Sequence, residues 1–410
     1  MNACACDQPG LRPVDEAIAD LLAQVPTPPA AEWVALEQAQ GRTLAEPVHA
    51  LRPMPAWDNS AMDGYALRAA DLQGAPGYLP LAGRIAAGDA AQEELPPGHA
   101  VRIFTGAPLP PGADSVVPQE LVRLEGEGVW LPACTRGDHV RRRGEEFERG
   151  TCVLPAGICL RAPQLGLLAS LGIAEVAVHR RLRVGLLSSG NELREPGAPL
   201  YPGQIYDANR YSLRAALRGW GLEVDDCGVL EDELSASRDA LSLAASEWDV
   251  LISSGGVSVG EEDHLKQAVR ELGELHLWRL AIQPGKPFAF GRVCGTPWIG
   301  LPGNPVAALL TALVVARPFL LAAQGRSNVL PRALPLPAGF AWPKANARRQ
   351  YLRARIEHQD GELRVVPHTQ QGSAMLSAMS WAEGLAVVEA GRTLGAGELV
   401  EFLALDTLLA

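Results

Sequence analysis

Four loops carry the side chains best suited to chemistry. Residues 253–263 read SSGGVSVGEED. A strand running into Gly255 and Gly256 can turn its backbone N–H groups toward a ligand, because neither glycine has a side chain in the way. The helix that follows aims its positive N-terminus into the same space. Ser253, Ser254, Ser258 and Gly260 add hydroxyl donors and a further glycine, which favours an anion cradle over a plain strand-to-helix turn. Residues 301–305 read LPGNP, where Asn304 suits a helix N-cap and Pro305 its first turn, a start signal that needs no ligand. In PGKPFAFG, residues 284–291, Lys286 lies between two prolines on a stiffened loop, where its ammonium either neutralises a phosphate or is simply solvated. The fourth loop, SSGNEL, presents Glu192.

Asp58, Glu192, Asp232 and Asp263 all occupy turn-rich contexts that would present a carboxylate. Taken singly, each is equally a cap or a surface charge. Converging on a phosphorylated ligand, they would repel it: two unit charges about 4 Å apart interact by about 4 kcal/mol at an effective dielectric near 20. A divalent cation reverses that sign, and oxygen ligands together with phosphate suit magnesium. Converging acids would therefore imply a metal. The arginine runs 141–143 and 348–349 read either as solvated faces or as guanidinium clamps on phosphate or pterin oxygens. No phosphate-binding Walker loop, H-E-x-x-H zinc motif or G-x-S-x-G nucleophile elbow is present, and the eight histidines are dispersed.

The elements around these loops follow from periodicity. Residues 13–24 have helical spacing behind Pro13, and residues 161–172 read as a second short helix before the strand-like AEVAVH. From about 50 to 145, short apolar runs broken by Gly and Pro indicate a small β-rich domain. From 182 to about 325, strands RVGLLSSG, LEVDDCGVL, DVLISSGG and PWIGL alternate with helices, the last being VAALLTALVVARPFLLAA. That rhythm predicts a mostly parallel sheet with helices on both faces, and such sheets bind ligands at the strands' carboxyl ends. SSGNEL, VLEDE, SSGGVSVGEED and LPGNP fall at those ends. The proline-rich 330–343 reads as an interdomain linker, and four strand-like runs after it make a closing β domain.

With 410 residues, 47% of them hydrophobic and 20% charged, the chain can bury the cores of two to four domains. A net charge of −11 argues against a general nucleic-acid binder but not against a small anionic substrate, for which only the local field matters. No apolar run is read as approaching the roughly 20 residues of a membrane span, and residues 1–10 lack the pattern of a secretory signal. A cytoplasmic protein without membrane contact is expected. The seven cysteines include a lone C-x-C at Cys4 and Cys6, and reduced thiols are expected rather than a zinc site.

Seven collinear segments resemble the molybdopterin molybdenumtransferase family, the bacterial MoeA type and the gephyrin E domain. They are PAWDNSAMDGYALR at 55–68, RIFTGAPLPPGADSVVPQE at 102–120, RRRGEEFERG at 141–150, and SSGNEL, SSGGVSVGEED, PGKPFAFG and LPGNPVAALL. The resemblance spans nearly the whole chain. It implies a multidomain α/β plus β fold. Residues 1–50 and 145–180 would form an elongated dimerisation segment, and 51–144 an inserted β-rich domain. Residues 181–327 would form a MoaB/MogA-like α/β domain that binds molybdopterin, and 328–410 a C-terminal β-barrel. It also implies a homodimer whose active site lies between the α/β domain of one subunit and the inserted domain of the other. Asp58, as a catalytic acid, and Thr105, as a substrate contact, would face that cleft from the inserted domain, with Glu192, Asp232 and Asp263 opposite as catalytic and magnesium-holding acids. Ser189, Gly190, Ser254, Gly255, Gly256, Ser258, Gly260, Lys286 and Asn304 would bind substrate, and Pro302 and Pro305 would shape the floor. Two positions depart from relatives: Glu146 stands where Asp is common, and Gln283 where a basic residue can occur.

The resemblance further implies the activity, insertion of molybdate into adenylylated molybdopterin with release of AMP. Molybdopterin adenylyltransferase and molybdoenzyme-maturation proteins would be its partners. One rival is a non-catalytic cofactor carrier or dimeric scaffold of the same fold, against which the retained Asp58, Glu192, Asp232 and Asp263 argue. Another is a nucleotide-processing hydrolase like the competence-damage-inducible proteins, which lack the 55–68 and 102–120 motifs. The motifs do not discriminate molybdate from tungstate.

Overall fold

The computed structural model describes residues 10–90, 93–230, 233–257, 264–359 and 361–410. The chain folds as two compact units, one comprising 46–156 with 162–174 and the other 1–45, 157–161 and 175–410.

The larger unit is built on a six-stranded sheet in the order Glu223–Leu230, Arg183–Ser189, Val250–Ser254, Thr296–Leu301, Pro287–Val293, Gly273–Arg279. The first four strands are mutually parallel, and the last two form an antiparallel extension. Helices Ala208–Gly219, Leu234–Glu247 and His264–Leu272 follow the parallel strands. Val250–Ser254 is buried along its whole length, as expected where helices cover both faces. The expected α/β rhythm is present, with two corrections. PGKPFAFG is not all loop, because Pro287 opens a strand, a position where the missing N–H costs nothing. Gly273–Arg279 is a strand that the sequence did not announce, since it is an edge with a mostly exposed burial pattern.

Residues 305–323 form the long core helix, with a π turn at Ala312–Ala316 between Pro305–Thr311 and Arg317–Ala323. This corrects the reading that no apolar run nears membrane-spanning length. The helix has 19 residues, and its most apolar 18-residue stretch has a mean hydropathy of 2.1 and is 89% buried. Its side chains Leu310, Leu313, Phe319 and Leu320 pack with Leu213, Leu217, Trp220, Phe290 and Ile299 in one core, which accounts for the apolarity.

A second six-stranded sheet contains Ile282–Gln283, Arg349–Gln359, Gly384–Val388, Leu399–Ala404 and Leu334–Pro337, with Glu362–Pro367 on the far side of Arg349–Gln359. A bridge between Ala338 and Val365 closes it into a small barrel around Leu352, Ala386, Val400 and Phe402. The proline-rich stretch is therefore not only a linker: Leu334–Pro337 pairs with Leu399–Ala404 as a strand whose prolines sit on the sheet's edge.

The smaller unit holds a six-stranded sheet in the order Ser115–Pro118, Gly64–Leu67, Ala100–Ile103, Gly77–Ile85, Gly128–Leu131, Arg123–Glu125. Tyr65, Leu67, Val117 and Val129 pack on one face and Ala66, Val101, Ile103 and Val116 on the other, which is why Gly64–Leu67 is buried throughout.

Candidate functional site

A cleft of about 1040 Å³ opens at the carboxyl edge of the parallel strands, large enough for a nucleotide-sized ligand. Register brings its loops together. Ser188 pairs with Ser254, and Ser254 with Leu301, so the chain leaves three neighbouring strands at one level. The approach is tight. A Cβ on Gly255 would stand 2.3 Å from the Ser189 carbonyl oxygen, Gly255 has φ +86°, and its N–H donates to the Leu301 oxygen at 3.1 Å. Only glycine fits there.

Lys286 reaches the same edge by reversal. Its strand runs antiparallel to Thr296–Leu301, so the amino end of the one lies beside the carboxyl end of the other. Ser189, Gly190, Glu192, Ser254, Gly255, Gly256, Lys286, Pro302, Asn304 and Pro305 all line the cleft. Asp232, Asp263, Ser258 and Gly260 lie outside the described residues, as do Cys4 and Cys6. Asn304 sits at the N-cap position, but its side chain makes no capping bond. The Val306 N–H instead donates to the Ser373 carbonyl at 3.0 Å. The helix thus starts where expected, with Asn304 at the N-cap and Pro305 in the first turn, but the Asn304 amide is not used as a cap and lies on the cleft wall.

One wall was not foreseen. Gln371, Gly372, Ser373 and Ala374 come from the barrel. Gln371 is pinned by the Arg353 backbone, accepting its N–H at 2.9 Å and donating to its carbonyl at 3.0 Å. The fully buried Arg353 side chain donates to the Gly372 oxygen at 3.2 Å, and burial lowers its pKa to about 10, leaving it charged at neutral pH. Asn209 was also missed. It lines the cleft and holds the 302–304 loop by donating to the Gly303 oxygen at 2.8 Å.

The two adjacent arginines separate. Arg348 stands on the cleft wall, donating to the Gln283 side-chain oxygen at 3.2 Å. Gln283 thus anchors a cation; Asn346 donates to the same oxygen at 2.8 Å. Arg349 binds Asp15 at 2.7 Å and Glu389 at 2.9 Å and ties the first helix to the barrel. Among the described residues, Glu192 is the only carboxylate on the wall, and no group of three His, Cys, Asp or Glu could hold a metal.

In the smaller unit, the three N-terminal motifs converge. The Leu109 N–H donates to the Asp58 carbonyl, the Gly106 N–H to that of Ser60, and Asn59 pairs with Arg141. The Asp58 carboxylate accepts from the Arg142 guanidinium at 2.7 Å and the Arg143 N–H at 2.8 Å. Partial burial pushes this carboxyl up, but the Arg143 N–H and the Arg142 guanidinium outweigh it and hold it below its usual value of 3.8. Because the pKa is depressed, the link is present above that value and is lost only as pH falls through the lowered one. The Asp58 carboxyl ¹³C shift should therefore titrate with its midpoint below 3.8, and Arg142→Met should move that midpoint up. A midpoint that Arg142→Met leaves in place would show that Arg142 does not hold it. Glu146 is exposed, and its backbone N–H donates to the Met54 oxygen.

Three family models match the chain in succession: the MoeA N-terminal region (domain I and II) at 12–172, a probable molybdopterin binding domain at 185–322, and the MoeA C-terminal region (domain IV) at 335–405. The molybdopterin molybdenumtransferase of Haemophilus influenzae is 40% identical over 401 residues, covering 97% of this chain and 99% of its own. Molybdopterin molybdenumtransferase 2 of Mycobacterium tuberculosis is 41% identical over 371 residues, covering 86% and 89%. The crystal structure of the molybdopterin biosynthesis moeA protein of Pyrococcus horikoshii OT3 superposes with a TM-score of 0.81 at 27% identity, covering 96% of this chain and all of that one. With its α/β sheet, inserted β sheet and terminal barrel, the chain belongs to the molybdopterin molybdenumtransferase family.

Proposed function

We propose that the protein inserts molybdate into adenylylated molybdopterin and releases AMP. The observation that carries this reading is the meeting of the four motif loops in one cleft with two cations, Lys286 and Arg348. A pyrophosphate link and a dianionic oxyanion both need positive charge, and the lysine and the guanidinium on the cleft wall supply it. Ser189, Ser254 and Asn304 add polar groups that orient the substrate, and Pro302 and Pro305 stiffen the floor. In the reaction, an oxygen of molybdate or water forms a bond to phosphorus as the bond to the AMP oxygen breaks. Molybdenum then bonds the two dithiolene sulfurs as one Mo–O bond breaks, that oxygen leaving as water with the two thiol protons or, after attack by molybdate, staying on the phosphate.

Glu192 supplies a hard oxygen ligand of the kind magnesium takes. With Asp232 and Asp263, it would hold that ion, which would offset the phosphate charge. The protein would act in the cytoplasm as a homodimer, with the Asp58 and Thr105 loops of one subunit serving the cleft of its partner. The deciding assay is AMP release from adenylylated molybdopterin with magnesium and molybdate, coupled to activation of an apo-molybdoenzyme. Release with active cofactor is the expected result. Tight binding without release at any magnesium or oxyanion concentration would make the protein a carrier or scaffold instead.

A further inference from the structure

Thr105 is exposed, and both of its donors are already used. Its N–H and its hydroxyl each donate to Asp63 Oδ1 at 2.8 Å. An ionised carboxylate only accepts hydrogen bonds, so the single hydroxyl proton is committed and Oγ1 shows lone pairs to its surroundings. The rest of the loop is equally spent. The Gly106 N–H donates to the Ser60 oxygen at 2.8 Å and the Ala107 N–H to the Phe104 oxygen at 2.9 Å. Despite its glycine, the 104–107 turn is therefore no anion cradle. An anion at Oγ1 would also lie within about 6 Å of the Asp63 charge, two hydrogen bonds away, where like charges repel.

We propose that Asp63 is a positioning residue that fixes the Thr105 hydroxyl as a hydrogen-bond acceptor, so that Thr105 recognises an N–H or O–H donor of the substrate rather than a phosphate or oxyanion oxygen. This rests on the reading that adenylylated molybdopterin is the substrate and that Thr105 touches it. Asp63 stays ionised because the Thr105 N–H and hydroxyl hold its carboxyl below the usual value, with the Arg102 charge assisting. Arg102 is itself fixed, lying 5.0 Å over the Tyr65 ring and 4.8 Å over that of Phe104, the residue before Thr105, and donating to the Gly64 oxygen at 3.2 Å.

The test is equilibrium binding of adenylylated molybdopterin to the full-length protein at fixed magnesium, with kcat and KM measured alongside. Thr105→Val should weaken binding about tenfold, the loss of one hydrogen bond, and Thr105→Ser should restore most of it. Asp63→Ala, which leaves the hydroxyl no acceptor, should weaken binding several-fold through KM, with less than a twofold further effect on top of Thr105→Val, whereas Asp63→Asn, whose Oδ1 still accepts, should bind within about twofold of the wild type. Tighter binding by Asp63→Asn would mean that Thr105 faces an anionic oxygen and would overturn the proposal. So would an unchanged affinity in Thr105→Val. A wild-type protein that neither binds nor turns over this substrate would instead overturn the functional reading, and this assignment with it.

Discussion

Replacing Gly255 by alanine should reduce turnover at least about a hundredfold while the chain still folds. The added methyl would stand 2.3 Å from the Ser189 carbonyl oxygen, a backbone atom that cannot rotate away. Relief requires two neighbouring strand ends to part by about 1 Å, a displacement that can cost about a hundredfold in a positioned reaction. The left-handed φ of +86° adds about 1–2 kcal/mol for any side chain. Gly203→Ala separates the two effects, since Gly203 has the same φ of +86° and nothing within 4 Å of its would-be Cβ. Chemical denaturation should show about 1–2 kcal/mol lost in Gly203→Ala and about 3–5 kcal/mol in Gly255→Ala. Equal activity in the two variants would show that the close approach does not matter to the site.

Removing either cleft cation should weaken substrate binding about 30- to 100-fold, because a ligand charge in a recessed site loses its partner. Lys286→Met and Arg348→Met keep most of the side-chain volume and delete only the charge and its donors. Both losses should shrink as salt is raised. Arg349→Met provides the contrast one residue away. It should cost about 1–2 kcal/mol of stability by releasing the exposed Asp15 and the half-buried Glu389, yet leave affinity within about twofold. If Arg349→Met abolished binding while Arg348→Met did not, the assignment of the two guanidinium groups would be reversed.

That contrast shows where the sequence was legible and where it was not. The parallel strands and their loops could be read from apolar runs ending in glycine, because a strand buried on both faces writes its length directly in the sequence. Lys286 was visible as a loop cation, but not the reversed strand that carries it to the cleft, since a leading proline masks a strand start. The pair 348–349 is one run in sequence, whereas Arg348 lies in the bend before the strand that Arg349 opens, so the two side chains part. Gln371 to Ala374 carry no signal at all. They reach the cleft only because the barrel closes, and closure depends on pairings between residues far apart in sequence. Asp63 sits inside a motif that was recognised, yet its role depends on a carboxylate meeting a loop about 40 residues further on.

The short pairing of Ile282–Gln283 with Arg349–Gln350 bears on modularity. Three family models divide the chain into segments that look separable, and the middle one ends at residue 322. A fragment cut there would keep Lys286 and the glycine turn but lose Arg348, the residues that anchor Gln283, and the wall formed by Gln371 to Ala374. The barrel is thus not an attachment that evolution could discard or exchange freely. Any swap of terminal domains between family members must carry a compatible set of contacts to residue 283, or the recombinant will inherit a binding site with one side missing.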